Sequence, residues 1–207
     1  MSKKIIIAID AMGGENAPYK NIEGIKLFIN KNKLKDYFFN IYGDEKIIKE
    51  LISNYKIDKS NLKIYNTPTV VSDEETPLTA LKNSKDSSMW HSINSQKNDF
   101  ANISLSAGNT GVLFVISRMI LKTIDQVSKP ALAGLWPNKK GMNVVLDLGA
   151  NIDCDEKNLV DFSEMGSALY KSLFPDQVPK VAILNVGSEE IKGTNTIKKA
   201  FGILKEL

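Results

Sequence analysis

The chain has 207 residues, 43% of them hydrophobic and 25% charged, with a formal net charge of +3. That length and apolar content suffice for a substantial core, expected as a single α/β domain over residues 1–207, and so small a charge makes no demand for a polyanionic partner such as nucleic acid. Cys154 is the only cysteine, which excludes an internal disulfide, and no apolar run approaches the ~20 residues of a membrane span, so a cytoplasmic protein is expected.

Taken in chain order, short runs rich in β-branched residues read as buried strands at Ile5 to Ile9, Phe39 to Tyr42, Leu62 to Tyr65, Ile103 to Ser106, Val144 to Leu148 and Val181 to Asn185. Longer stretches with helical spacing lie between them. Ile22, Ile25, Leu27 and Ile29 belong to one, Ile47, Ile48, Leu51 and Ile52 to a second after "GDE", and Val112 to Leu121 to a third. "KNSKDSSM" at 82–89 fits a linker or a helix start, "ALAGLW" fits a strand stopped by Pro130 and Pro137, and "KKAFGILKEL" closes the chain as a helix. Strand followed by helix, repeated, predicts an α/β fold with a mostly parallel sheet.

Four glycine-bearing loops follow the predicted strands: "DAMGG", "SAGNTG", "DLGAN" and "NVGSEEIKG". In an open parallel sheet those carboxyl ends share one edge, where ligands bind. In "SAGNTG", Gly108 and Gly111 permit close backbone approach, while Ser106, Asn109 and Thr110 bring side-chain polar groups to the start of a helix. The loop on its own fits two readings, a tight turn with an Asn or Thr cap, or a cradle for phosphate or carboxylate. It has neither the Walker lysine nor a GxGxxG spacing. "DAMGG" sets Asp10 at a strand end before Gly13 and Gly14, which suits a nest of N–H groups or a plain turn before Pro18. Asp147, Gly149 and Asn151 form a strand end whose carboxylate needs donors and most simply braces neighbouring loops. Glu189, Glu190 and Lys192 follow the last predicted strand, where Lys192 is either a solvated charge or an anion ligand. His91, the sole histidine, has no partners at metal-ligand spacing; Met89, Trp90 and Met119 read as core or interface, and Cys154 as a small side chain near a strand end.

"DAMGG", "SSM" at 87–89, "SAGNTG", "KPAL" at 129–132, "LDLGAN", "MGS" at 165–167 and "LNVGSEEIKG" occur in this order along the whole chain. In that set the sequence resembles the PlsX family, the bacterial phosphate acyltransferases of phospholipid synthesis. The resemblance implies a three-layer, Rossmann-like sheet with helices on both faces, similar to phosphotransacetylases and isocitrate dehydrogenases, in a homodimer that uses no metal and no organic cofactor. It implies an acyl-[acyl carrier protein]:phosphate acyltransferase making acyl phosphate, with acyl carrier protein and inorganic phosphate as partners and a cytoplasmic location, peripheral at the inner membrane. Under it, Lys192, Asn109 and Asp10 are the catalytic candidates, and Gly13, Gly14, Ser106, Gly108, Thr110, Gly111 and Asn151 the phosphate-binding ones. The family pattern has Asp-His where this chain has Glu15 and Asn16, an arginine at Lys129, and Lys-Gly-Asn where it has Lys192, Gly193 and Thr194. Family members continue past the equivalent of Leu207, so the chain is expected to lack their carboxyl-terminal segment. That leaves, as alternatives, a catalytically impaired phosphate- or carrier-binding homologue and a phosphotransacetylase-like enzyme using a coenzyme A thioester.

Overall fold

The computed structural model describes residues 4–32, 36–189 and 192–207. It divides into two compact units, residues 1–122 and 123–207, each described by itself.

In the first unit four strands, β1 (Ile5–Asp10), β2 (Tyr37–Gly43), β3 (Leu62–Asn66) and β4 (Ile103–Ser106), form one sheet in the order β3-β2-β1-β4. Every pair is parallel, with Ile9 opposite Ile41 and Asp10 opposite Ser106. The alternation of β1 assigns its side chains to the two faces. Ile7 and Ile9, with Phe39 and Ile41, bury against α1 (Tyr19–Lys31) and α2 (Glu45–Asn54) through Ile22, Ile25, Ile48, Leu51 and Ile52. Ile22 and Ile25 lie on the predicted stripe, whereas Leu27 turns outward and is 53% exposed. Asp44 caps α2, accepting from the N–H groups of Lys46 at 2.9 Å and Ile47 at 3.1 Å.

The opposite face presents small or polar groups, Ala8, Asp10, Ser104 and Ser106, and α4 (Ser88–Lys97) lies on it. Ala8 is fully buried, so its lack of bulk is what lets a helix approach the sheet there. Met89 and Ile93 of α4 then join Val112, Ile116 and Ile120 of α5 (Thr110–Leu121) and Ala80 of α3 (Pro77–Asn83) in a second core. The "SSM" segment resolves as a helix start, with Ser87 capping α4 by accepting from Trp90 N–H at 3.1 Å. His91 stacks on Tyr42, ring centroids 6.3 Å apart.

In the second unit β5 (Ala133–Asn138) and β6 (Gly141–Leu146) pair antiparallel as a hairpin. Helix α6 (Glu156–Leu173) packs on β6, and α7 (Asn195–Glu206) on α6. A capping box between Asp155 and Asn158 starts α6.

The parallel sheet with helices on both faces is as expected, and three expectations are corrected. Val144 to Leu148 contributes to the hairpin and not to the parallel sheet, with Gly141–Leu146 as the strand. The strand around "ALAGLW" runs through Pro137, which pairs with Met142; in a two-stranded hairpin each strand is an edge, where proline is tolerated. Val181 to Asn185 forms neither helix nor strand, and Leu184 is 94% exposed. Strand propensity expresses a fit to a half-buried pleated surface, and this run has no ladder partner among the described residues.

Candidate active site

Two of the four glycine loops follow adjacent parallel strands, β1 and β4, and they interlock. Asp10, 2% exposed, is the centre of the contact. Its Oδ1 accepts from Ser88 Oγ at 2.5 Å and from Met12 N–H at 3.3 Å, and its Oδ2 accepts from Ser106 Oγ at 2.7 Å. Gly13 N–H is a further donor to the same carboxylate. Burial pushes the Asp10 carboxyl above its ordinary value, opposed by the Ser88 and Ser106 hydroxyls and the Met12 and Gly13 N–H groups. Groups that surround the carboxyl are thus donors, the arrangement that suits an ionised acid.

The glycines have steric reasons. A methyl group at Gly13 would come within 2.5 Å of Asp10 Oδ2 and 3.0 Å of the Gly108 nitrogen. Gly14, at φ +91°, would meet the Ala107 carbonyl oxygen at 2.6 Å. So the two turns approach backbone to backbone, which only residues without a Cβ permit. Asn21 of α1 holds the first turn by donating its amide to the carbonyls of Ala11 at 2.8 Å and Gly13 at 2.9 Å. Gly111 differs, since a Cβ there would stay at 3.5 Å from its neighbours.

In the second loop Ser106 Oγ accepts from Gly108 N–H at 3.1 Å, and Asn109 caps α5 by accepting from Val112 N–H at 3.1 Å. The side-chain amide of Asn109 donates to the carbonyls of Asp73 at 2.9 Å and Glu75 at 3.1 Å, tethering the "SDEET" segment to the helix start. Asn109 is therefore engaged at both ends of its amide, and Thr110, at the first helical position, is exposed. The N–H groups at the first positions of α5 have no intrahelical acceptor, and with the helix dipole they favour an anion.

The other two loops belong to the second unit. Asp147, at φ +59°, accepts from the backbone N–H of Asn151 at 3.2 Å and from its side-chain amide at 2.9 Å. That amide also donates to the Pro130 carbonyl at 2.9 Å, so Asn151 is committed to bracing this turn. Cys154 Sγ reaches Asp147 Oδ2 at 3.7 Å, and burial together with the Asp147 charge pushes its thiol up, away from a reactive thiolate. Lys129 Nζ donates to the Asp153 carbonyl at 2.6 Å. Lys192 is exposed, its backbone N–H donating to Glu189 at 2.9 Å and its carbonyl accepting from Asn185 at 3.2 Å; Glu190 lies outside the described residues.

The structure thus gathers Asp10, Gly13, Gly14, Ser106, Gly108, Asn109, Thr110 and Gly111 within the first unit, and carries Asn151 and Lys192 in the second. Ser88 and Asn21 are functional neighbours that the sequence pattern does not single out. "SSM" was a signal for Ser88, since a hydroxyl at a helix start beside small residues suits a buried acceptor; Asn21 had no signal beyond its place early in a helix. Among the described residues no group of three or more His, Cys, Asp or Glu side chains gathers as a metal site, and no helix is long and apolar enough to cross a membrane.

The sequence matches the family described as fatty acid synthesis protein over residues 5–207. It is 51% identical to a phosphate acyltransferase of Pelagibacter ubique, the match covering 100% of this chain and 61% of the relative. It is 43% identical to a phosphate acyltransferase of Ehrlichia ruminantium, covering 98% of this chain and 60% of the relative. This chain therefore spans about three fifths of the length of these relatives. In fold it is similar to a phosphotransacetylase from Streptococcus pyogenes, with a TM-score of 0.67 at 15% identity, over 100% of this chain and 67% of the other. It also resembles the EutD phosphotransacetylase from Staphylococcus aureus, with a TM-score of 0.61 at 15% identity, over 98% and 64%. With nearly all of its residues inside the family's pattern, and with the paired glycine loops built as described, the chain belongs to the fatty acid synthesis protein family.

Proposed function

We propose that the protein is an acyl-[acyl carrier protein]:phosphate acyltransferase. The observation that carries this reading is the 51% identity to a phosphate acyltransferase across the whole of this chain. The start of α5 supports it, because its first N–H groups have no intrahelical acceptor and favour an anion.

In this reading inorganic phosphate sits against the N–H groups of Asn109, Thr110 and Gly111, and Gly13, Gly14 and Gly108 serve it by letting the two turns pack backbone to backbone. A phosphate oxygen attacks the thioester carbonyl, forming the C–O bond of the acyl phosphate. The tetrahedral intermediate collapses with cleavage of the C–S bond, and the sulfur leaves as the carrier-protein thiol after taking a proton from solvent. Phosphate is already an anion, so the step asks for position and oxyanion stabilisation more than for a strong base. Lys192 is the cation proposed to neutralise phosphate and oxyanion. Asp10 acts through Ser106 and the glycine turns as a positioning residue, and Asn151 as a brace of its own loop. Acyl carrier protein is the acyl donor, a second copy of the chain the partner in a homodimer, and the cytoplasm, peripheral to the inner membrane, the place of work.

The test is thiol release from acyl-[acyl carrier protein] with and without phosphate. Release only with phosphate, reduced by at least ~100-fold in Lys192→Ala at unchanged stability, is the expected result. Release from an acyl-coenzyme A instead would make the enzyme phosphotransacetylase-like; saturable phosphate binding with no release would make it a binding homologue.

A further inference from the structure

We propose that Asn21 is a positioning residue for the phosphate-dependent step: its side-chain amide sets the peptide orientation of the "DAMGG" turn, and through it the fit of that turn against the "SAGNTG" loop. The inference rests on the reading of the protein as a phosphate acyltransferase.

Asn21 is half-buried in the first turn of α1, outside both loops. Its Nδ2 has two protons, and two carbonyls take them, Ala11 at 2.8 Å and Gly13 at 2.9 Å. Both partners only accept, so the amide nitrogen and not the amide oxygen faces the turn. The peptide bonds after Ala11 and Gly13 are trans, and across a trans peptide the carbonyl and the following N–H point in opposite directions. Drawing the two carbonyls to α1 therefore turns the N–H groups of Met12 and Gly14 away from it. The Met12 N–H accordingly reaches Asp10 Oδ1 at 3.3 Å. One amide on a neighbouring helix thus fixes two peptide planes of the turn.

The orientation of those planes matters beyond the turn, because the two loops touch without slack. A Cβ at Gly13 would stand 3.0 Å from the Gly108 nitrogen and 3.0 Å from Ser106 Oγ, and one at Gly14 would stand 2.6 Å from the Ala107 carbonyl oxygen. A rotated Gly13 or Gly14 peptide would press on the backbone of residues 106–108, which leads directly into Asn109 and the start of α5. Close-packed groups transmit such a displacement, and a reacting anion held slightly out of place reacts more slowly.

Steady-state kinetics of phosphate-dependent thiol release from acyl-[acyl carrier protein], with urea unfolding run alongside, tests this. Asn21→Ala removes the two donors; Asn21→Asp keeps the shape and sets acceptors against the two carbonyls. Both are expected to lower kcat/KM for phosphate, by about tenfold in Asn21→Ala, the size of an ordinary lost hydrogen bond, and by more in Asn21→Asp. The KM for acyl-[acyl carrier protein] should stay within about twofold, since only the phosphate side is displaced. Asn32→Ala is the control: it removes an amide-to-carbonyl bond of the same kind at the other end of α1, to Phe28 at 2.9 Å, and should leave the phosphate kinetics unchanged. If the aspartate variant does not fold, Asn21→Ala decides alone. An unchanged kcat/KM for phosphate in Asn21→Ala, whatever its stability, or an equal fall in Asn32→Ala, overturns the proposal and leaves phosphate acyltransfer standing. Wild type that releases no thiol in response to phosphate overturns that reading, and the proposal with it.

Discussion

Two loops of this protein read alike in sequence, an aspartate at a strand end followed by glycine, and they are built to different ends. Asp10 closes a parallel sheet strand, is 2% exposed, and takes hydroxyls from residues 78 and 96 positions away. Asp147 follows a hairpin strand, is half-buried, and accepts from residues four and seven positions on. The first carboxylate ties distant elements into one loop pair; the second stabilises its own turn. A strand-end aspartate therefore joins separate elements of the fold when its donors come from other elements, and chiefly shapes a local turn when they come from its own.

That contrast is open to measurement. Asp10→Ala, which strands Ser88 and Ser106 without their acceptor, should cost about 3 kcal/mol in urea unfolding, and Asp147→Ala about 1 kcal/mol. Equal costs would erase the distinction between the two carboxylates. Gly13→Ala should cost about 2 kcal/mol by overpacking against Asp10 and the Gly108 backbone, and abolish the rise in Tm that added phosphate is expected to give the wild type; Gly111→Ala, with room for a Cβ, should fall below 1 kcal/mol. Asn109→Ala, which removes the α5 cap and the tether to Asp73 and Glu75, should cost about 1–2 kcal/mol and increase proteolysis within the "SDEET" segment. The smallest effect is a pH dependence. Burial raises the Asp10 carboxyl above its ordinary 3.8, so folding favours its protonated form. That contribution is complete below the ordinary value and is lost as pH rises through the raised one. The stability gap between wild type and Asp10→Ala should narrow over that window; a gap that widens with pH would reverse the assignment.

Several features were legible without coordinates. The β-branched runs from Ile5, Phe39, Leu62 and Ile103 became strands of one parallel sheet, because short apolar runs separated by amphipathic helices have few other ways to bury themselves. The order of "DAMGG", "SSM", "SAGNTG" and the later motifs pointed to the family. Val181 to Asn185 misled, since β-branched composition states a preference and a strand needs a neighbouring edge to realise it. Asn109 was legible as a polar residue at a helix start, but not as a tether, because its acceptors are carbonyls 34 and 36 positions earlier.

From the residues alone came the strands and helices of the first unit, the positions of the glycines, and the family whose motifs they form. The tertiary structure decided how the polar groups are used. It brought Ser88 and Ser106 to one buried carboxylate and committed Asn109 and Asn151 to carbonyls of their own units. The physical reason is that a hydroxyl or amide has only a few protons and lone pairs, and only the fold determines which neighbours take them.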